Sequence, residues 1–253
     1  MQFTIEAACG CHIGNIRKTN EDNFYFDGKC LAADHSGLKN PVSFEQPLKN
    51  GLCLAVFDGM GGENFGELAS FAAARQLQQT QRTMADFFVS ERNYLLQLTE
   101  QLNDAVVQQK ATLCTDRMGT TMAALYFTSR YGYVCNVGDS RAYRLRDGEF
   151  LQISLDHTEK RPGRENRKAP LTQYLGIHPE DMQLEPHIAK GALETGDIYL
   201  LCSDGLTDML TNFEIADILL QDTDAEACVQ TLIQSALARG GRDNVTVIVC
   251  KVH

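Results

Sequence analysis

The sequence predicts an α+β domain built of stacked layers. Strand-like runs follow one another at hairpin-length intervals and helical stretches come in pairs, whereas alternating βαβ units would place a helix after each strand. The apolar runs that predict strands lie near residues 3–9, 24–33, 51–57, 120–128, 131–137, 140–146, 149–153, 184–189, 197–202 and 245–252. Because no repeat or linker divides the chain, we expect residues 1–253 to form a single domain.

Two pairs of helices are predicted. The first pair lies between about residues 63 and 112, and its second member repeats apolar residues at helical spacing, from Leu95 to Leu102. In the second pair, Thr211 with Glu214 and Thr223 with Glu226 have the spacing of a capping box, which marks a helix start.

Composition permits one large core and restricts the partners. Of the 253 residues, 43% are hydrophobic, and the formal net charge is −10. This charge argues against nucleic acid or an anionic membrane surface as the main partner, but not against a phosphorylated substrate, because bound cations reverse the local field. No run reaches the roughly 18 apolar residues of a membrane span, and the N-terminus lacks the apolar core of a signal peptide. The nine cysteines lie mostly in apolar runs, which is typical of reduced thiols, so we expect a cytoplasmic protein. We also expect a monomer.

Three acidic turns lie beside strand-like apolar runs, at Asp58, Asp204 and Asp243. Aspartate is a hard oxygen ligand, so several at the ends of buried strands could hold Mg²⁺ or Mn²⁺. Asp-Gly is also ordinary hairpin chemistry, and the pairs at 27–28 and 147–148, with polar neighbours, predict simple turns. Spacing alone therefore leaves open both a shared metal site and three separate turns.

Three further motifs occur at residues 14–23, 118–121 and 136–141. Together with the three acidic turns they form a series of motifs with a fixed order along the chain. In that order they resemble the type-2C metal-dependent protein serine/threonine phosphatases (PPM family), over roughly residues 5–250. The version around Asp58, with Met60 in place of the histidine of many eukaryotic members, is similar to the bacterial branch.

The resemblance implies a β-sandwich of two antiparallel sheets flanked on each side by paired helices, with metal bound at one end. It implies hydrolysis of phosphoserine and phosphothreonine in proteins, by in-line attack of a water or hydroxide that bridges two metals. The implied cofactors are two to three divalent cations, Mg²⁺ or Mn²⁺. The implied partners are phosphorylated proteins, the substrates of a serine/threonine kinase.

The resemblance also assigns roles to individual residues. Asp58 would bridge both metals, with the Gly59 carbonyl on one, while Asp204 and Asp243 hold the other and Asp22 contacts the site through water. Together with Asp58, the catalytic set includes Arg17, whose guanidinium would grip the substrate phosphate, although an isolated arginine is more often a solvated side chain. A third metal would be held by Asp139 and Asp208, each of which could instead cap a turn.

Two departures from the family pattern concern the leaving group and the substrate. A thioether cannot act as a general acid, so Met60 cannot protonate the leaving alcohol. The segment 159–168, which overhangs the site in relatives, is short here, and the loop at 35–46 is long. The short segment carries five basic residues, which could attract acidic phosphopeptides or could simply be solvated: Lys160, Arg161, Arg164, Arg167 and Lys168.

Other classes of function are weighed against the phosphatase. Neither the G-x-G-x-x-G nor the P-loop pattern is completed around residues 59–62, and no G-x-S-x-G elbow of a serine hydrolase occurs. A pseudophosphatase that only binds phosphoproteins and a phosphohydrolase of small phosphomonoesters remain as alternatives.

Overall fold

A computed structural model describes residues 2–49, 51–60, 65–80, 90–159, 169–221 and 224–253. Its strands are β1 Thr4–His12, β2 Asp22–Tyr25, β3 Val42–Pro47, β4 Leu52–Met60, β5 Gly119–Thr120, β6 Met122–Phe127, β7 Tyr131–Val137, β8 Arg141–Arg146, β9 Glu149–Gln152, β10 His187–Ala192, β11 Ile198–Cys202 and β12 Val245–Val252. Its helices are α1 Gly66–Gln79, α2 Glu91–Leu113, α3 Asp204–Thr207, α4 Asn212–Gln221 and α5 Ala225–Ala238.

The strands form two antiparallel sheets. The first has the order β3-β1-β12-β11-β8-β9, and the second has the order β10-β7-β6-β4-β2, with β5 paired to β4. Three apolar clusters separate the layers: one between α1–α2 and the second sheet, one between the two sheets, and one between the first sheet and α3–α5. The predicted sandwich with helices on both outer faces is therefore confirmed.

The sequence of strand β4 is almost continuously apolar because the strand is buried on both faces. Successive side chains point to opposite faces of a strand, and both faces of this strand are covered. Leu54 and Val56 face the cluster between the sheets, while Ala55 and Phe57 face α1 and α2. The same alternation carries Asp58 to the inner face, at the point where the strand ends.

Several local predictions are confirmed. Thr211 and Glu214 form the capping box, since the Thr211 N–H donates to Glu214 Oε2 (2.9 Å) and the Glu214 N–H donates to Thr211 Oγ1 (3.4 Å). The turns at 27–28 and 147–148 place both of their residues at positive φ, as type I′ hairpin turns require. Among the described helices, none is both long and apolar enough to cross a membrane.

Other local predictions were incomplete or wrong. Residues 42–47, within the stretch expected to be a loop, form the edge strand β3, which pairs with β1. Most of its side chains are exposed, so no apolar alternation marks it in the sequence. Helix α5 is capped by Asp224, whose side chain accepts a bond from Ala227 N, rather than by Thr223, which lies outside the described residues. The basic segment 160–168 also lies outside them.

Candidate metal centre

The candidate site lies at one end of the sandwich, between the two sheets. Alternation along β2 and β4 puts Asp22 and Asp58 on their inner faces, because Phe24 and Val56, two residues away, belong to the inner cluster. The two aspartates are direct partners in the β2–β4 pairing. The sequence motifs around Asp22 and Asp58 therefore meet at one point of the fold.

The backbone around Asp58 is fixed by the start of the neighbouring strand. Its N–H donates to Thr121 Oγ1 (3.1 Å), and its carbonyl accepts from the Thr121 N–H (2.8 Å) and from Thr120 Oγ1 (2.9 Å). Thr121 Oγ1 in turn lies 2.6 Å from Ser140 Oγ. These bonds hold the strand end in place, while the Asp58 side chain remains partly exposed.

Gly59 lies in a space that admits no side chain. A Cβ atom at this position would be 2.0 Å from the Gly66 carbonyl oxygen and 2.5 Å from that of Glu21. The Gly59 N–H also donates to Glu21 O (3.0 Å). The chain thus brings the strand end, the start of α1 and the residue before Asp22 into backbone contact.

Asp204 lies two residues after the end of β11, as the first residue of the short helix α3, and is 5% exposed. The next residue, Gly205, lies against the other acidic turn, since a Cβ there would be 1.9 Å from the Asn244 carbonyl oxygen. Glycine is therefore needed to bring the turns at Asp204 and Asp243 together.

Asn244 ties the loop before Asp22 to the turn at Asp243. Its Oδ1 accepts from the Glu21 N–H (2.8 Å), and its Nδ2 donates to the carbonyls of Ile13 (2.8 Å) and Thr19 (3.0 Å). The side chain therefore orients the loop.

Asp22 is 1% exposed. Its Oδ2 accepts hydrogen bonds from Ser203 Oγ (2.7 Å) and Thr246 Oγ1 (2.8 Å). Burial raises the pKa of Asp22, the two hydroxyls oppose that rise, and the nearby charges of Asp204 and Asp243 add to it. The carboxylates of Asp204 and Asp243 are therefore close enough to Asp22 to oppose its negative charge.

Arg17 reaches the same place from the N-terminal loop. Its Nη2 lies 2.7 Å from Asp243 Oδ2, and about half of the arginine side chain is exposed. The hydrogen bond to Asp243 raises the pKa of Arg17, with further contributions from the charges of Glu21 and Asp58. The Glu21 carboxyl itself accepts from the backbone of Gly66, at the start of α1, so it is used as a helix-end contact.

The two residues assigned to a third metal lie in separate turns. Asp139 follows Gly138, whose φ of +96° needs glycine and whose N–H donates to His157 Nδ1 (3.1 Å). Asp208 is exposed and lies one turn after Asp204, with its N–H donating to the Asp204 carbonyl (2.8 Å). His157 therefore holds the turn before Asp139.

The donor set fits a hard divalent cation, since aspartate oxygens and a backbone carbonyl are the ligands that Mg²⁺ and Mn²⁺ prefer. Among the described residues, no three histidine, cysteine or acidic side chains are already grouped closely enough to hold an ion. One of the carboxylates, Asp243, is engaged by Arg17.

Sequence reasoning missed four hydroxyl residues that support these aspartates: Thr121, Ser140, Ser203 and Thr246. A signal for two of them was present. Ser203 lies just past the end of β11, two residues after the inner-face residue Leu201, and Thr246 occupies the inner-face position of β12 before Ile248.

Comparison with known proteins adds four findings. A sequence model described as protein phosphatase 2C matches residues 41–239. The chain is 34% identical over 252 residues to the serine/threonine protein phosphatase PstP of Mycobacterium tuberculosis, covering 94% of this chain but 43% of that protein. It is 30% identical over 213 residues to the protein phosphatase PhpP of Streptococcus pneumoniae, covering 79% of this chain and 85% of that one. In structure, it is similar to the catalytic domain of PstP in complex with two manganese ions, with a TM-score of 0.75, 29% identity and 99% of both chains covered.

Proposed function

Because the chain belongs to the protein phosphatase 2C family, we propose that it is a metal-dependent protein phosphatase that hydrolyses phosphoserine and phosphothreonine. The observation that carries the proposal is the direct pairing of Asp22 with Asp58 at the end of the sandwich where Arg17 meets Asp243. The names of the relatives, and the two manganese ions in the PstP catalytic domain, support the same chemistry. The chain spans 43% of the length of the M. tuberculosis relative, so the proposal concerns this catalytic unit.

The metal ligands proposed are Asp58 and the Gly59 carbonyl on one side of the centre and Asp204 and Asp243 on the other, with Asp22 beside them. Two divalent cations held there would neutralise the charge of a phosphate dianion and make water a stronger nucleophile at neutral pH. The role of the chain is to fix these oxygens. Asp58 is set by its bonds to Thr120 and Thr121, and the turns at Asp204 and Asp243 are joined through Asn244.

Arg17 is the proposed phosphate ligand. A guanidinium can bind two phosphate oxygens at once, and the contact is strengthened by the charge on both partners. In this structure its Nη2 is bound to Asp243, so a substrate phosphate would compete with that carboxylate for the arginine. Met60, at the end of β4, has no proton to give to the leaving alcohol.

We further propose that the substrates are phosphoproteins made by a serine/threonine kinase, and that residues 1–253 act as one catalytic domain. We place the protein in the cytoplasm as a monomer, without nucleic acid or membrane partners. The formal net charge of −10 supports the absence of polyanionic partners. All nine cysteines are free thiols, which supports a reducing location.

The proposal is tested by assaying phosphoserine and phosphothreonine peptides beside a panel of small phosphomonoesters, with Mn²⁺ or Mg²⁺ and with EDTA. We expect peptide hydrolysis that needs metal and is lost in Asp58→Asn and Asp204→Asn. Asp104→Asn, an exposed aspartate on α2, is the matched control and should behave as wild type.

Each alternative has its own outcome in this assay. Peptide binding without turnover in the wild type would indicate a pseudophosphatase. Faster hydrolysis of small phosphates than of any peptide would indicate a small-molecule phosphohydrolase. Full turnover in EDTA would contradict the metal-dependent mechanism.

A further inference from the structure

Two buried hydroxyls hold the carboxylate of Asp22. Thr246 Oγ1 and Ser203 Oγ lie 2.8 Å and 2.7 Å from its Oδ2, and both residues are 0% exposed. The three side chains join both sheets, because Asp22 begins β2 in one sheet, whereas Thr246 is the second residue of β12 and Ser203 directly follows β11 in the other. The contacts thus join the sheets at the candidate metal centre.

The hydroxyls are themselves fixed in position. Ser203 Oγ accepts the Thr246 N–H (3.0 Å), and the Ser203 N–H donates to the Thr246 carbonyl (3.0 Å). Since that oxygen receives an N–H, the single hydroxyl proton of Ser203 is directed to Asp22. Thr246 Oγ1 lies within donor distance of Asp22 Oδ2 (2.8 Å) and of Cys11 Sγ (3.3 Å), and its single proton goes to the carboxylate because that acceptor is nearer and stronger than sulfur.

Both bonds end on one oxygen of Asp22. The carboxylate therefore cannot rotate without losing a charge-assisted hydrogen bond. The main chain of the residue is held as well, by the Asn20 side chain at its N–H (3.2 Å) and by His35 Nε2 at its carbonyl (2.9 Å).

We propose that Ser203 and Thr246 are positioning residues that hold Asp22 for metal binding, so that the affinity for Mn²⁺ depends on two hydroxyls that touch no metal. This inference rests on the proposed metal-dependent function. Partners of ligating carboxylates tune metal affinity in other metal sites, where their loss costs roughly 10- to 100-fold. A purely structural role would instead lower stability and leave the affinity unchanged.

The test uses Thr246→Val, which keeps the branched shape and removes the hydroxyl, and Ser203→Ala. Thr246→Ser restores a hydroxyl and is the conservative variant. Thr99→Val is the matched control, because Thr99 is equally buried but donates to Leu95 O within α2. For each variant of the full chain, the dissociation constant of Mn²⁺ is measured by calorimetry and the melting temperature is measured in EDTA.

We expect Thr246→Val and Ser203→Ala to bind Mn²⁺ about 10- to 100-fold more weakly than wild type, whereas Thr246→Ser and Thr99→Val bind it normally. Repeating Thr246→Val in an Asp22→Asn background should produce little further loss, because the hydroxyl acts through that carboxylate.

Wild-type protein that binds no Mn²⁺ would contradict the proposed function itself. Wild-type protein that binds Mn²⁺ while Thr246→Val and Ser203→Ala bind it equally well would overturn only the positioning role. An undiminished further loss in the Asp22→Asn background would also overturn it. If Thr246→Val does not fold, Ser203→Ala and its double variant with Asp22→Asn decide the question.

Discussion

Replacing Gly59 by alanine should damage catalysis much more than stability. The new Cβ would be 2.0 Å from the Gly66 carbonyl oxygen and 2.5 Å from that of Glu21, although ordinary contact begins at 3.4 Å. Both neighbours are backbone atoms, so the strand end, α1 and the residue before Asp22 must separate by about 1 Å or more. Overpacking of this kind typically costs about 1–3 kcal/mol, which a domain with a stability of about 5–15 kcal/mol survives.

The same displacement would move Asp58 and Asp22, two of the residues that must be aligned for the reaction. A misplacement of about 1 Å can cost about 100-fold in rate. We therefore expect denaturant titration of Gly59→Ala to give a free energy of unfolding that is about 1–3 kcal/mol lower than that of wild type. We also expect its kcat/KM on a phosphopeptide with Mn²⁺ to fall about 100-fold.

The matched control is Gly191→Ala, also a glycine in a strand. Its Cβ would meet only Arg144 Nη1, at an ordinary 3.7 Å. This variant should be as stable as wild type, or more stable by about 0.4–1 kcal/mol through a less flexible unfolded chain, and fully active. Wild-type stability and turnover in Gly59→Ala would refute the inference that this contact sets the geometry of the site.

Three further predictions concern charged groups around the site. Arg17→Ala should raise KM and lower kcat for a phosphopeptide while Mn²⁺ affinity changes little, and loss of metal with unchanged substrate affinity would contradict its role. Asp139→Ala and Asp208→Ala should reduce turnover without removing the two central ions, whereas wild-type rates at limiting metal would leave both as turn residues. Reversal of the three arginines of segment 160–168 to glutamate should lower kcat/KM for an acidic phosphopeptide mainly at low salt, because screening shortens electrostatic attraction to about 10 Å at 0.1 M. A small aryl phosphate serves as the control substrate, and equal losses on both would contradict the steering role.

The sequence predicted the layers and most strands because both depend on periodic burial. Strand β4 reads as buried on both faces, and the structure covers both faces. Edge strand β3 was missed for the same physical reason, since its side chains are mostly exposed and its residues pair with β1 residues that are 33 to 43 positions away, from Cys9↔Val42 to Thr4↔Pro47. Local periodicity contains no information about such a partner.

The acidic residues of the candidate site were predictable from motifs, but their supporting contacts were not. Asp22 and Asp58 belong to motifs that can be read in isolation, whereas Ser203 and Thr246 become relevant only when β11 and β12 pair and their ends meet β2. A serine after an apolar run and a threonine within a strand are ordinary residues in sequence. Their role depends on side-chain directions across two sheets, which only the assembled fold defines.

The arrangement at Asp22 also shows which part of the fold costs free energy, namely the burial of carboxylates close to one another. Folding buries the carboxylates of Asp22 and Asp204 near that of Asp243, and burial raises the pKa of Asp22, which opposes its charged form. The hydroxyls of Ser203 and Thr246 stabilise the charged form locally, and the ion pair of Arg17 with Asp243 reduces the repulsion from one neighbour. The remaining cost is offset by the apolar layers, which contain no part of the site. Substitutions in the apolar layers should therefore lower stability with little effect on metal affinity. Removal of the Ser203 or Thr246 hydroxyl should instead lower metal affinity strongly, although it deletes a single oxygen atom.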